Sequence, residues 1–129
     1  MKNRKNNLFI IGLLTLLLII FQFFINAEWW WFVIPVFVAG VLLPPKFTKG
    51  NGFCVGFVAG ALSWFLPHFY FQWTYSGKLF AQLATLIGVP VWVLVIAIAV
   101  IGGILGGLAF TTGKQLRSGK EKLKLNLEE

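Results

Sequence analysis

The stretch Ile101–Phe110, I-G-G-I-L-G-G-L-A-F, decides how the rest of the chain is read. It lies inside a long apolar run of helical length, yet it is rich in glycine. A glycine in a helix interior costs about 1 kcal/mol relative to alanine, so this density needs a compensating gain. In lipid, helices have no hydrophobic drive toward one another and associate where small residues let their backbones approach. Gly102 with Gly106, and Gly103 with Gly107, form two overlapping G-x-x-x-G pairs. Residues four apart drift only about 40° around a helix, so each pair lies in one groove. The stretch predicts a transmembrane helix built for close packing.

Composition points the same way. The chain has 129 residues, 58% of them hydrophobic and 12% charged, where about 25% charged is usual for soluble domains. Such a chain is embedded in lipid rather than wrapped around one aqueous-facing core. Aspartate is absent, and the acids are Glu28, Glu121, Glu128 and Glu129. The net charge of +7 is concentrated at the two ends and in one short loop. That distribution excludes the basic face of a nucleic-acid-binding domain. Cys54, the only cysteine, lies in an apolar run, where inert packing is expected. It forms no disulfide within one chain and no zinc site.

Four spans are predicted, with an all-α, polytopic fold. Residues 1–7 are a basic cytoplasmic N-terminus, and residues 8–25 form a first span that is retained, because F-Q-F-F-I-N-A-E is a poor cleavage site. The second span covers residues 29–43, with Pro35 expected to kink it and Pro44-Pro45 to stop it. The third covers residues 52–73. Leu79–Gly88 is too short to cross, and its apolar residues share one face, so a short interfacial helix is expected there. The fourth span covers residues 89–110. Residues 111–129 form a basic cytoplasmic tail. Its alternating Leu123, Leu125 and Leu127 suit either a strand added to a partner's sheet or a disordered basic segment on anionic lipid.

Four spans put both termini on one side. That side then carries Lys2, Arg4, Lys5, Lys46, Lys49, Lys114, Arg117, Lys120, Lys122 and Lys124, and the other carries only Lys78. The asymmetry predicts an N-in, C-in protein of a cytoplasmic membrane. On this topology Gly52, Gly56 and Gly60 line the inner half of the third span, and Gly102, Gly103, Gly106 and Gly107 line the inner half of the fourth. The third and fourth helices are expected to cross at these glycines. Trp29, Trp30, Trp31 and Trp73 fall at the outer interface, where tryptophan belts form.

No catalytic constellation, cofactor motif or metal-ligand cluster is present in the sequence. Glu28 and His68, both expected at the outer interface, are the sole candidate for a polar pair. Thr15, Gln22 and Ser63 are the polar side chains at depth that could line a path. No ionisable residue lies at depth, which argues against a self-sufficient pump.

G-F-C-V-G-F at Gly52–Phe57 is similar to the third-helix motif of the small fluoride channels. Val55 interrupts the glycine pair, however, and Val58-Ala59-Gly60-Ala61 stands where hydroxyl residues belong. The flanking charge is also too one-sided for that family's dual insertion. The whole layout resembles the uncharacterised small four-helix membrane proteins of bacteria. The shared features are the di-proline after span two, the surface segment before span four, and G-G-x-x-G-G followed by T-G-x-x-L-R at Gly102–Arg117. That resemblance implies a bacterial inner-membrane location and no enzymatic activity. The expected role is a non-enzymatic subunit or scaffold in the bilayer, packing with a larger membrane protein or with itself. The alternative is a small oligomeric channel or transporter.

Overall fold

The computed structural model describes residues 2–24, 31–44, 52–74 and 78–128. These residues are almost wholly helical. In chain order the helices are α1 (Lys2–Phe24), α2 (Val33–Leu42), α3 (Gly52–Thr74), α4 (Lys78–Ile87) and α5 (Val91–Glu128). Three of them, α1, α3 and α5, are long and apolar enough to cross a membrane. The chain is therefore an all-α protein with the character of an integral membrane protein.

The helix ends differ from the sequence expectation where local chemistry overrides hydropathy. α1 begins at Lys2 rather than Leu8. Nothing between Lys2 and Asn7 breaks a helix, and extending one already nucleated gains a hydrogen bond per residue. α2 is shorter than predicted, ten residues or about 15 Å, roughly half of a ~30 Å hydrocarbon layer. Pro35 falls in its first turn, where its missing N–H would be unpaired in any case. It therefore helps to start this helix and does not kink it. At the other end Leu43 is extended, with φ −70° and ψ 123°, because Pro44 disfavours the helical conformation of the residue before it.

α3 runs unbroken through Pro67 to Thr74. α4 is the short amphipathic helix expected at residues 79–88. It ends where Gly88 adopts φ +78°, and the Ala84 carbonyl accepts from the N–H groups of Gly88 and Val89 at 2.9 and 3.0 Å. This is the left-handed glycine cap. Pro90 then opens α5, its carbonyl accepting from the Val93 N–H at 3.0 Å.

The largest departure is α5, which continues past Phe110 to Glu128. At 38 residues it extends about 57 Å, nearly twice the hydrocarbon thickness. Thr111 and Thr112 do not interrupt it. Their hydroxyls donate to the Gly107 and Leu108 carbonyls, each at 2.8 Å. The tail is thus helical rather than a strand or a disordered segment, and Leu125 lies opposite Leu123 and Leu127 around the helix.

The core lies between α1, α2, α3 and α5, with Leu18, Phe32, Val36, Ala59 and Phe110 buried at its centre. α3 and α5 are antiparallel, since Gly60 meets Gly102 and Gly52 meets Phe110. α2 runs parallel to α5, its Phe32 ring meeting Trp64 at 5.2 Å and its Gly40 meeting Phe110. The C-terminal ends of α1 and α3 share one cavity, lined by Ile19, Phe23, Leu66, Pro67 and Tyr70. α1 and α3 therefore point one way, and α2 and α5 the other.

Candidate functional site

The glycines of α3 and α5 meet backbone to backbone. A Cβ placed on Gly56 would stand 2.5 Å from the Gly106 carbonyl oxygen, and one on Gly106 would stand 2.6 Å from the Gly56 carbonyl oxygen. Gly60 faces the Gly102 carbonyl in the same way. These separations are too short for any side chain, so Gly56, Gly60 and Gly106 set the distance between the two helices, while a Cβ on Gly102 would meet the Trp64 ring of α3 at 2.6 Å. The remaining three are used differently. Gly103 lies under the Phe57 ring and Gly107 under the Phe53 ring, at 2.9 and 2.7 Å from the built Cβ. At Gly52 the nearest atom is the Lys114 side chain at 3.3 Å, a tight contact that a flexible side chain can relieve. The helices that the glycines bring together belong to one chain.

A second glycine crossing, between α2 and α5, was not anticipated. Gly40 lies on the Phe110 carbonyl, and Gly113 lies on the Phe37 carbonyl with the Val41 nitrogen 3.0 Å from its built Cβ. Gly102, Gly106, Ala109 and Gly113 recur at i, i+4, i+7 and i+11, within an arc of about 60°. One small-residue stripe thus serves α3 first and α2 further along. Arg117 continues the same face. Its Nη1 donates to the Leu42 and Val41 carbonyls at 2.8 and 3.3 Å, and its Nε donates to Glu121 at 3.2 Å. A cation is thereby seated at the C-terminus of α2, where the carbonyls lack helical donors. The i+11 recurrence was visible in the sequence, but T-T-G reads locally as punctuation.

Comparison with known protein families, curated proteins and solved structures finds no match. The functional reading therefore rests on the chain's own geometry.

The three polar residues at depth do not join into a path. Ser63 is fully buried and donates to the Gly60 carbonyl of its own helix at 2.9 Å. Thr15 is 6% exposed, and its Oγ1 has no hydrogen-bond partner among the described residues. Gln22 is half-buried near the end of α1. No hydrogen bond links any two of these three.

At the far end of α3, His68 is held within an aromatic cluster. Its Nδ1–H donates to the Trp64 carbonyl at 2.6 Å. A carbonyl can only accept, so Nδ1 carries the proton. The ring stacks on Trp64 at 6.1 Å and meets the edge of Phe80 at 5.6 Å. Glu28, Trp29 and Trp30 lie outside the described residues. Trp31 and Trp73 are exposed, at 39% and 82%, as residues of an interfacial belt are in the absence of lipid. Cys54 is exposed on the outer side of α3 rather than packed. Among the described residues no group of three or more histidine, cysteine or acidic side chains is placed to hold a metal ion.

Proposed function

We propose that this chain is a non-enzymatic integral subunit or scaffold of a bacterial cytoplasmic membrane. It crosses four times, keeps both termini in the cytoplasm, and associates through its outer helix faces with a larger membrane protein or with further copies. The observation that carries this reading is the internal use of the glycine surfaces. Both glycine crossings lock α5 against other helices of its own chain, which makes a rigid unit. What it offers outward is large apolar side chains such as Leu13, Leu17, Ile20, Ile101 and Ile104. Among the described residues the ion pair Arg117–Glu121 lies at the end of the bundle, and no joined polar path stands behind these side chains to carry an ion.

The four-crossing topology is supported by the alternating helix directions and by the location of ten of the eleven Lys and Arg residues. α2 completes it as a short helix preceded by a turn at Trp31 and Phe32 and ended by the extended Leu43 before Pro44. The interfacial belt, the α4 surface helix and the His68 cluster then lie at the outer side, and the α5 tail lies in the cytoplasm beside anionic lipid.

The test combines two measurements on the full chain purified in mild detergent. Mass spectrometry of the isolated complex is expected to show a fixed stoichiometry with a larger membrane protein or with itself. Liposomes containing the protein are expected to pass no ion or small solute above the protein-free rate. A flux dependent on the protein would replace this reading with the small-channel alternative, with Thr15, Gln22 and Ser63 as its lining.

A further inference from the structure

α1 and α2 are consecutive, yet they diverge around an open apolar cavity of about 400 Å³. Its walls include Leu13, Leu14 and Leu17 from α1 and Val38, Ala39 and Leu42 from α2. The volume lies within the range of about 300–1,000 Å³ common to small-ligand sites. In a bilayer such a gap must be filled by another helix or by a lipid chain. A helix seats closely where small residues let its backbone approach. The cavity has no glycine among its lining residues, and the glycines that permit close approach face the α5 crossings instead. A branched aliphatic wall suits a flexible acyl chain, which adapts to an irregular surface.

The charge at one end of the cavity selects the headgroup. Leu42 is both a wall residue and, through its carbonyl, the acceptor of Arg117 Nη1 at 2.8 Å, so the guanidinium caps the helix end at which this wall stops. Nε is engaged by Glu121 and Nη1 by the α2 carbonyls. The Nη2 donors have no hydrogen-bond partner among the described residues. Lys114 and Lys120 lie within one helical turn on either side in sequence, which keeps this end net positive despite Glu121. Guanidinium groups match phosphate oxygens in a planar, forked geometry. We propose that the α1–α2 groove holds one acyl chain of an anionic glycerophospholipid, with its phosphate on Arg117. This deepens the anionic-lipid contact proposed for the tail and rests on the chain being embedded in a membrane.

The test uses native mass spectrometry of the full chain in detergent, with dioleoylphosphatidylglycerol and dioleoylphosphatidylcholine added at equal concentration. The wild type is expected to retain the anionic lipid with about tenfold preference, the scale of one charge-assisted hydrogen bond. Arg117→Gln removes the preference while both lipids still bind. Val38→Trp fills the groove and lowers retention of both lipids at least about fivefold. Leu13→Trp does the same from the opposite wall and serves if the first variant fails to fold, with circular dichroism as the check. Neutralising Lys122 and Lys124 to glutamine leaves groove retention intact, so a failure of the tail contact is seen separately. Equal retention of the two lipids by the wild type would overturn the proposal. So would unchanged retention in both tryptophan variants, including the case where they alter only the oligomeric state and the groove receives a second copy.

Discussion

Arg117 of α5 closes the C-terminus of α2 by donating from Nη1 to the Leu42 carbonyl at 2.8 Å. The two residues are 75 positions apart, so this contact ties the end of the chain to its second helix. α2 has only ten residues, and isolated helices of that length are marginal. It therefore depends on its packing along α5 and on this cap. Arg117→Ala is expected to lower stability by about 1–2 kcal/mol, from the loss of a charge-assisted hydrogen bond and a cation at a helix C-terminus. Glu121→Gln removes only an exposed i,i+4 partner and is expected to cost less than about 0.5 kcal/mol. Detergent unfolding followed by circular dichroism checks both. Equal losses in the two variants would place the effect in the surface pair rather than the cap.

The glycines divide into classes that a single alanine series separates. Alanine at Gly56, Gly60 or Gly106 drives a methyl into the facing backbone, and forced repacking of this kind costs about 1–3 kcal/mol. Alanine at Gly103 or Gly107 meets an aromatic ring instead, and rotation of Phe57 or Phe53 absorbs part of the strain. Gly12 has nothing within 4 Å of its built Cβ, so Gly12→Ala is expected to leave stability unchanged or raise it by up to about 1 kcal/mol. Gly106→Leu should abolish the folded bundle. Melting temperatures that failed to rank in this order would contradict the two-helix crossing.

How far the sequence revealed this depends on how local each determinant is. The long apolar runs of α1, α3 and α5 were legible because eighteen or more apolar residues have few other fates. The limits of α2 were not, since Trp29–Phe32 are apolar and only the frame set by Pro35 and Pro44 shows where helical hydrogen bonds begin and end. The tail reads from sequence as a disordered basic segment or a strand, because it is polar and its leucines alternate at 123, 125 and 127. Continuing an established helix outweighs that pattern when no proline intervenes. The glycine stripe was seen up to Gly107 and missed at Gly113. Arg117 reads from sequence only as a topology-setting charge, because no local pattern joins it to Leu42.

Thr15 carries a buried hydroxyl that the fold leaves unsatisfied. Its hydroxyl has no partner among the described residues, and burying an unpaired hydroxyl costs about 1–3 kcal/mol. Thr15→Val keeps the shape and removes that group, so an unchanged or higher melting temperature is expected. Ser63→Ala loses a bond to its own helix, and membrane hydrogen bonds of this kind average about 0.6 kcal/mol. If Thr15 instead lined a conducting path, Thr15→Val would alter liposome flux without raising stability.

Beyond Arg117 the α5 helix leaves the bundle. Residues 118–127 are all exposed, including Leu123, Leu125 and Leu127 at 62%, 65% and 78%. A segment that buries nothing contributes little to folding, because stability concentrates where apolar contacts are dense. Deleting residues 119–129 is therefore expected to leave the melting temperature within about 2 °C, the scale of a sub-kcal/mol change, while mean helicity falls only by the share of the removed turns. The deletion also takes away Lys120, Lys122 and Lys124, so binding of the reconstituted protein's cytoplasmic face to anionic vesicles should weaken and lose much of its salt dependence. Extending the cut to remove Arg117 and Gly113 should instead unfold α2. A smooth decline in stability as the tail shortens, with no step at Arg117, would show that the exposed turns hold the bundle and that the cap does not.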